Sequence, residues 1–365
     1  MQISRLSILN FKNISEAELG FSPGLNCFVG RNGEGKTNLL DALYYLAFCK
    51  SHNNPIDTHN IKHDAEFFMI QAEIHTESAT MEVHCAVKRR QKKVFKFNKK
   101  EYPRLSEHIG KIPLVLVSPS DEDLIREGSE ERRRFMDMVI AQYDAPYMES
   151  LVAYNKALQQ RNALLKEERL QDESLFDVYE IKMDMEAEFI QKKRQAFLDG
   201  FVPVFEQYYH RISGGREAIR LEYTSHLMEG DLQSQLKSCR QRDGYLGYTT
   251  RGIHKDELKM ELDGYPIKRE GSQGQNKSFL IAMKLAQYDF LKQHTGVRPL
   301  LLLDDLFDKL DSHRVERIIQ LVSGNDFGQI FITDTNKDHL THLLQKTDGT
   351  YRFFHVENGS ITQET

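Results

Sequence analysis

The chain reads as an α/β domain split by a helical insertion, and three features of its 365 residues predict this. Short apolar strands alternate with helical spacing up to about residue 120 and resume after residue 213. Between those points the sequence is dense in charge, almost free of glycine, and apolar at helical intervals. A Gly-rich loop also stands between a strand and a helix near the N-terminus. The expected division is residues 1–120 and 214–365 for the split domain and 121–213 for a helical arm.

The elements follow in order. Ile3, Leu6, Ile8 and Phe11 alternate with polar residues as a half-buried strand, and residues 25–29 form a short buried one. Residues 39–48 switch to helical spacing; 67–74, 81–87 and 94–97 return to strands. Residues 114–117 are another strand, stopped by Ser118-Pro119-Ser120. In the arm, Leu151, Tyr154, Leu158 and Leu165 mark the seam of a helix packed on a partner, with Pro146 near its start. A polar turn at 169–173 leads into a second helix expected over about 174–199. A helix of about 22 residues spans only about 33 Å, so the arm is short; it either packs on the core or touches a partner. Gly214-Gly215 ends it. Strands at 219–223 and 259–262, a long helix after Gly274, a strand at 300–304, a helix at 315–322 and a strand at 329–333 complete the chain.

Composition narrows the function classes. Hydrophobic residues at 40% and charged residues at 28% are ordinary for a globular chain with a real core. Lys+Arg 49 against Asp+Glu 54 gives −5, so nucleic-acid contact has to come from local patches. No apolar run approaches 18 residues, which excludes a transmembrane helix. The first residues, MQISRLSILNFKN, carry no apolar signal core, so a cytoplasmic location is expected. Cys27, Cys49, Cys85 and Cys239 lie far apart, which fits a reduced protein and not a zinc or disulfide framework.

Gly30-Arg31-Asn32-Gly33-Glu34-Gly35-Lys36-Thr37 matches the phosphate-cradling loop GxxxxGK[ST] in full, between a strand and a helix. Its glycines let backbone N–H groups face phosphates at the positive end of the helix that continues through Asn38. Lys36 is expected to neutralise the β/γ-phosphates of ATP, and Thr37 to bind Mg²⁺. A phosphate loop needs a second acid on a neighbouring strand. Leu300-Leu301-Leu302-Leu303-Asp304-Asp305 supplies it: Asp304 for Mg²⁺, and Asp305, one residue on, as general base toward water. Ser272-Gln273-Gly274-Gln275 precedes a helix that is apolar almost all round. Ser272 is either an N-cap or, with Gly274 and Gln275, part of a helix N-terminus aimed at a γ-phosphate.

Together these motifs resemble the ABC-type ATPase heads, mixed α/β sheets in which the signature serine of one protomer meets nucleotide held by the other. Leu310-Asp311-Ser312-His313-Arg314 is similar to the D-loop of that superfamily. Lys36, Asp305 and Ser272 are then the residues that would act on the γ-phosphate. Two features of the heads differ here. Asp121 or Glu122 stands where a Q-loop glutamine is expected, and Thr333-Asp334-Thr335 replaces the switch histidine, with His339 a helical turn later.

The opening Leu6-x-Ile8-x-Asn10-Phe11-Lys12-Asn13, the signature Ser272-Gln273-Gly274-Gln275 and the short arm narrow the resemblance to the bacterial RecF recombination-repair family. Ser118-Pro119-Ser120-Asp121 followed by Arg132-Arg133-Arg134-Phe135-Met136-Asp137, and Gln160-Arg161-Asn162-Ala163-Leu164-Leu165-Lys166, are similar to that family's arm motifs. Gly252-Ile253-His254-Lys255-Asp256-Glu257 resembles its GPHRDD segment, with Ile253 for Pro and Glu257 for Asp. The resemblance covers essentially the whole chain. It implies a weak, DNA-stimulated ATPase that dimerises on ATP, binds single-strand/double-strand DNA junctions, and loads recombinase with RecR and RecO in replication restart and SOS induction.

For DNA, the strongest local signal is residues 88–104. Lys88, Arg89, Arg90, Lys92, Lys93, Lys96, Lys99, Lys100 and Arg104 face one acid, Glu101, with Phe95, Phe97 and Tyr102 interleaved. Phosphate-backbone contact is expected there, without base-specific reading. The rival readings are an ATP-gated DNA clamp with negligible turnover, a transporter-type ATPase subunit, and another SMC-like ATPase. The arm and the absence of LSGGQ count against the transporter; much longer coiled coils would be needed for a chromosome protein.

Overall fold

The computed structural model describes all residues except 167–172, 216, 306–311, 323, 325, 345–349 and 365, with backbone only at 312–314, 339 and 342–344. The chain forms two compact units, one of residues 1–121, 211–214 and 277–365, the other of 122–210 and 215–276.

The first unit holds two six-stranded sheets. One is antiparallel, in the order Ile14–Gly20, Gln2–Phe11, Phe67–His75, Thr80–Lys88, Val94–Phe97 and Lys100–Glu101. The other is parallel from Tyr351–Glu357 through Leu25–Val29, Ile330–Asp334 and Leu300–Leu303 to Leu114–Val117, and Ser360–Gln363 adds an antiparallel edge. Four of its strands, Leu25–Val29, Ile330–Asp334, Leu300–Leu303 and Leu114–Val117, are fully buried, which is why they read as unbroken apolar runs and not as alternations. Phe21 meets Phe331, and Phe28 meets Phe354, each at 5.0 Å between ring centroids. Buried Gln329 clips the N-terminal strand onto this sheet, accepting from Ile3 N at 2.7 Å and donating to Ile3 O and Ser22 O at 2.8 Å.

The second unit contains the helices Ser129–Ala141, Ala145–Leu165 and Leu232–Leu246 and a three-stranded antiparallel sheet, Tyr265–Pro266, Glu257–Leu262 and Ile219–Thr224. Asp144 caps Ala145–Leu165, accepting from Tyr147 N at 3.0 Å, with Pro146 in the first turn as expected. Two arginines are wholly buried here. Arg161 donates to Glu180 and Asp243, and Arg194 donates to Asp137 at 2.9 Å and to Asp256 at 2.6 Å.

Two expectations change. Residues 215–276 cluster with the arm helices, not with the unit that holds the parallel sheet, because Glu257–Leu262 builds a separate sheet and Asp256 before it is tied to Arg194 of the long helix. That helix, Glu173–Ser213, runs 41 residues, roughly 62 Å, instead of stopping near residue 199. Gly200 and Pro203 look like stop signals. The apolar face continues through them, with Phe197, Phe201, Phe205 and Tyr209 in ring contact in succession, and packing overrides local propensity. The polar turn at 169–172 lies outside the described residues.

Candidate nucleotide site and charged surfaces

The phosphate loop leaves Leu25–Val29 and enters the buried helix Lys36–Phe48. Two of its glycines need a left-handed backbone, Gly33 at φ 84° and Gly35 at φ 118°. At Gly35 a Cβ would also lie 2.8 Å from the Asn13 amide, and at Gly30 it would strike Val356 O at 2.1 Å. Helix Lys36–Phe48 has no side-chain cap and no acidic residue in its first turn, so its positive end is left to an anion. The Lys36 ammonium is buried within the loop, donating to Gly30 O at 2.8 Å and Arg31 O at 3.0 Å. Arg31, Asn32 and Gly33 are exposed at the loop crest.

Thr37 and Asp304 meet as expected. The Thr37 hydroxyl donates to Asp304 Oδ1 at 3.0 Å, bringing the helix start to the C-terminal end of Leu300–Leu303. Burial pushes the Asp304 carboxyl above its ordinary range, against hydrogen bonds from Thr333 and Thr37 that favour the ionised form. In the sequence Thr333 stands out only as the replacement for a histidine. It donates to the same Asp304 oxygen at 2.8 Å and accepts from Asp305 N at 2.9 Å. A continuous chain thus runs from the Asp305 amide through Thr333 to Asp304. Asp305 takes a left-handed backbone at φ 44°, uncommon for an aspartate and of a kind that concentrates at functional sites. No single-strand motif announces Thr333; its role needs the register Leu303↔Ile332 between parallel strands.

Neighbouring residues brace the loop. Asn13 donates to Glu34 O at 3.0 Å and accepts from Asn38 Nδ2 at 2.8 Å, while the Glu34 carboxylate accepts from Asn358 N and Glu34 O from Gly359 N. Glu34 and Asn38 therefore hold the loop's shape through side chains turned to protein. Asp121 pairs with Lys284 at 2.6 Å and accepts from Ser118 N at 2.7 Å, and Glu122 pairs with Arg126.

Ser272 and Gln275 form a reciprocal capping box at the head of Gln273–Thr295. The Ser272 hydroxyl accepts from Gln275 N at 3.3 Å, and Ser272 N donates to Gln275 Oε1 at 2.8 Å. Ser272 is exposed, and Gly274 lies in the first turn. Leu310 and Asp311 of the D-loop-like segment lie outside the described residues, as do the side chains of Ser312, His313, Arg314 and His339.

The basic segment is a hairpin arm of the antiparallel sheet. Lys88, Arg89, Arg90, Lys92, Lys99, Lys100 and Arg104 are exposed and Lys96 half-buried. Lys93 is different: its ammonium bonds Cys49 O at 2.6 Å, Asp57 at 2.8 Å and Tyr45 Oη at 3.1 Å, so it anchors the hairpin to the protein. The interleaved rings also face inward. Phe95 is buried on His108, and Phe97 and Tyr102 pack on the same imidazole.

The parallel sheet, the phosphate loop and the paired Thr37 and Asp304 define an ABC-type ATPase head of the SMC class. The family model for the RecF/RecN/SMC N terminal domain matches residues 2–362. DNA replication and repair protein RecF of Phocaeicola vulgatus is 58% identical over 365 residues, covering the whole chain and 98% of that relative; the RecF of Bacteroides thetaiotaomicron is 56% identical over 364. A solved structure of the recombination mediator protein RecF-ATP in the RecFOR pathway matches with TM-score 0.89 at 28% identity, covering all of this chain and 97% of that one. A solved Smc head matches with TM-score 0.61 at 16% identity, a likeness of fold. The chain belongs to the bacterial RecF family of DNA replication and repair proteins, which carry SMC-like ATPase heads.

Proposed function

We propose that this chain is an ATP-driven DNA-binding dimer whose two heads complete each other's sites. The Asp305–Thr333–Asp304–Thr37 chain supports the reading: it ties the Asp304 carboxylate to the Thr37 hydroxyl at the head of the phosphate-loop helix and fixes the backbone of Asp305 beside it. Lys36 and the loop amides of residues 30–37 would hold the phosphates, and Thr37 with Asp304 would hold Mg²⁺, which screens charge on the β/γ-oxygens. Asp305 would accept the proton of an attacking water. The partner's Ser272 helix, with Gly274 and Gln275, would close the site. The exposed cations of the 88–104 hairpin would contact phosphates at single-strand/double-strand junctions. Recombinase loading with RecR and RecO, replication restart and SOS induction follow from family membership as further parts of this proposal. A clamp with negligible turnover is the second reading, favoured by Thr333 in place of a histidine.

Sedimentation with and without ATP and DNA tests both dimer and DNA link. Wild type should pass from monomer to dimer on adding ATP. Lys36→Ala should not, because the charge that holds the β/γ-phosphates is gone, whereas Ser272→Arg should stay monomeric and still bind nucleotide. An ATP-dependent dimer of Lys36→Ala equal to wild type would overturn the composite site.

A further inference from the structure

Two segments that the nucleotide site does not use converge on one exposed turn of the second unit. Helix Leu232–Leu246 ends at Gly247, left-handed at φ 72°; its last turn presents Tyr245, 92% exposed, and the turn beyond it presents Tyr248, 47% exposed. Over residues 237–255 five cations accompany one acid, Asp243, and that acid is buried on Arg161. Lys237 and Arg240 are taken up by Asp177 and Glu180, and Arg251 by Glu229. Arg242 is exposed one helical turn before Tyr245, without an ion pair among the described residues. The Lys255 ammonium lies 5.3 Å from the centre of the Tyr248 ring. Lys166 runs alongside Gly247, its Cγ 3.8 Å from where a Cβ would stand.

The turn is held from beneath. Asn162 Oδ1 accepts from Thr249 N at 2.8 Å and Thr249 Oγ1 at 2.7 Å. Arg161, fully buried, donates to the same Thr249 hydroxyl at 2.8 Å and to Asp243, whose other oxygen takes Thr250 N and Oγ1. His254 Nε2 bonds Thr249 O at 3.0 Å, and its Nδ1 meets Tyr154 Oη at 2.8 Å. Burying an arginine with two carboxylates is costly and adds little net stability. Locking an otherwise exposed aromatic turn into one geometry is a use for it.

We propose that this turn is a binding platform for single-stranded nucleic acid: unpaired bases stack on Tyr245 and Tyr248, and Arg242, Lys255 and Lys166 pair with the adjoining phosphates. Every base offers a ring face, so such a platform tolerates any sequence. Exposed rings accompanied by exposed cations suit planar bases joined by phosphates better than an apolar protein face. The inference rests on the DNA-binding reading and adds to it a second surface, distinct from the 88–104 hairpin, for the unpaired strand.

The test uses the full chain with ATP, measuring anisotropy of a labelled 30-nucleotide single strand and of a blunt duplex, and crosslinking by the same single strand carrying iodouracil. Tyr245→Ala/Tyr248→Ala should weaken single-strand binding by tenfold or more, since one stacked base is worth about 1–3 kcal/mol, and leave duplex binding within about twofold. Tyr245→Phe keeps the ring and should bind as wild type. Arg242→Ala/Lys255→Ala should lower the single-strand salt slope by up to about 1.4, or about 0.7 per contact. Crosslinks should map to Tyr245 or Tyr248. Unchanged single-strand affinity in the double tyrosine variant overturns the platform and points to a protein partner for the turn. Equal loss on single strand and duplex overturns it as well. Failure of wild type to bind either DNA would instead remove the DNA reading itself.

Discussion

Thr333→Val is the sharpest probe of the nucleotide site. Valine matches threonine in shape but lacks the hydroxyl, so the buried volume is kept while two hydrogen bonds vanish. The Asp305 N–H, now paired at 2.9 Å, loses its acceptor, and Asp304 loses a donor at 2.8 Å. An unsatisfied buried N–H costs about 1–3 kcal/mol, and a bond to a charged group is worth about 1.5–3 kcal/mol. Asp304 keeps the Thr37 bond, so part of the second amount is retained. A net effect of about 1.5–3 kcal/mol on the placement of both carboxylates corresponds to roughly a 10- to 150-fold fall in turnover. Phosphate release at saturating ATP across a Mg²⁺ titration should show lower turnover with nucleotide binding nearly intact. Thr333→Ser should recover most of the loss. Asp305→Asn should cut turnover by the 10²–10⁴-fold typical of a general base without moving the Mg²⁺ requirement, whereas Asp304→Asn should move it. If Thr333→Val matches wild type within twofold in turnover and Mg²⁺ requirement, the hydrogen-bonded chain does not govern the site.

On duplex DNA, Lys92→Ala/Lys96→Ala/Lys100→Ala should shallow the slope of log K against log salt by up to about three contacts at about 0.9 each, read by anisotropy from low to moderate salt. Lys93→Ala should leave that slope alone and instead lower the melting temperature, because its ammonium is spent on Asp57, Tyr45 and Cys49. Arg194→Ala should cost about 3–5 kcal/mol by leaving buried carboxylates uncompensated, a fall of roughly 6–20 °C in calorimetry. Its deficit should narrow toward pH 5. Burial already raises the Asp256 carboxyl against the pull of Arg194, and without Arg194 the folded state holds that proton more tightly. A folded-state value above the unfolded one means stability that is full below the unfolded value and lost as pH rises through the folded one.

Much of the nucleotide site is local, and the sequence determines it alone. Gly30 to Thr37 lie within one loop whose conformations demand glycine, and Asp304 and Asp305 end an apolar run that only a strand buried on both faces explains. A side-chain role set within a few residues is legible before any fold is known. Thr333 was not, because it reaches Asp304 across two parallel strands, and that register follows from how the whole sheet packs. Lys93 reads as one of a run of surface cations, and the alternation of Phe95 with them leaves core and surface both open. Charge and hydropathy are the same whether a side chain faces water or protein, and only the pleat of the hairpin on Asp57 and His108 turned these inward. The length of the arm helix and the membership of residues 215–276 were decided the same way. Gly200 and Pro203 carry real local penalties, but they are outweighed by the ring contacts of Phe197, Phe201 and Phe205 and by buried Arg161 and Arg194 reaching carboxylates up to 82 residues away. Contacts at such separation exist only once the chain has folded.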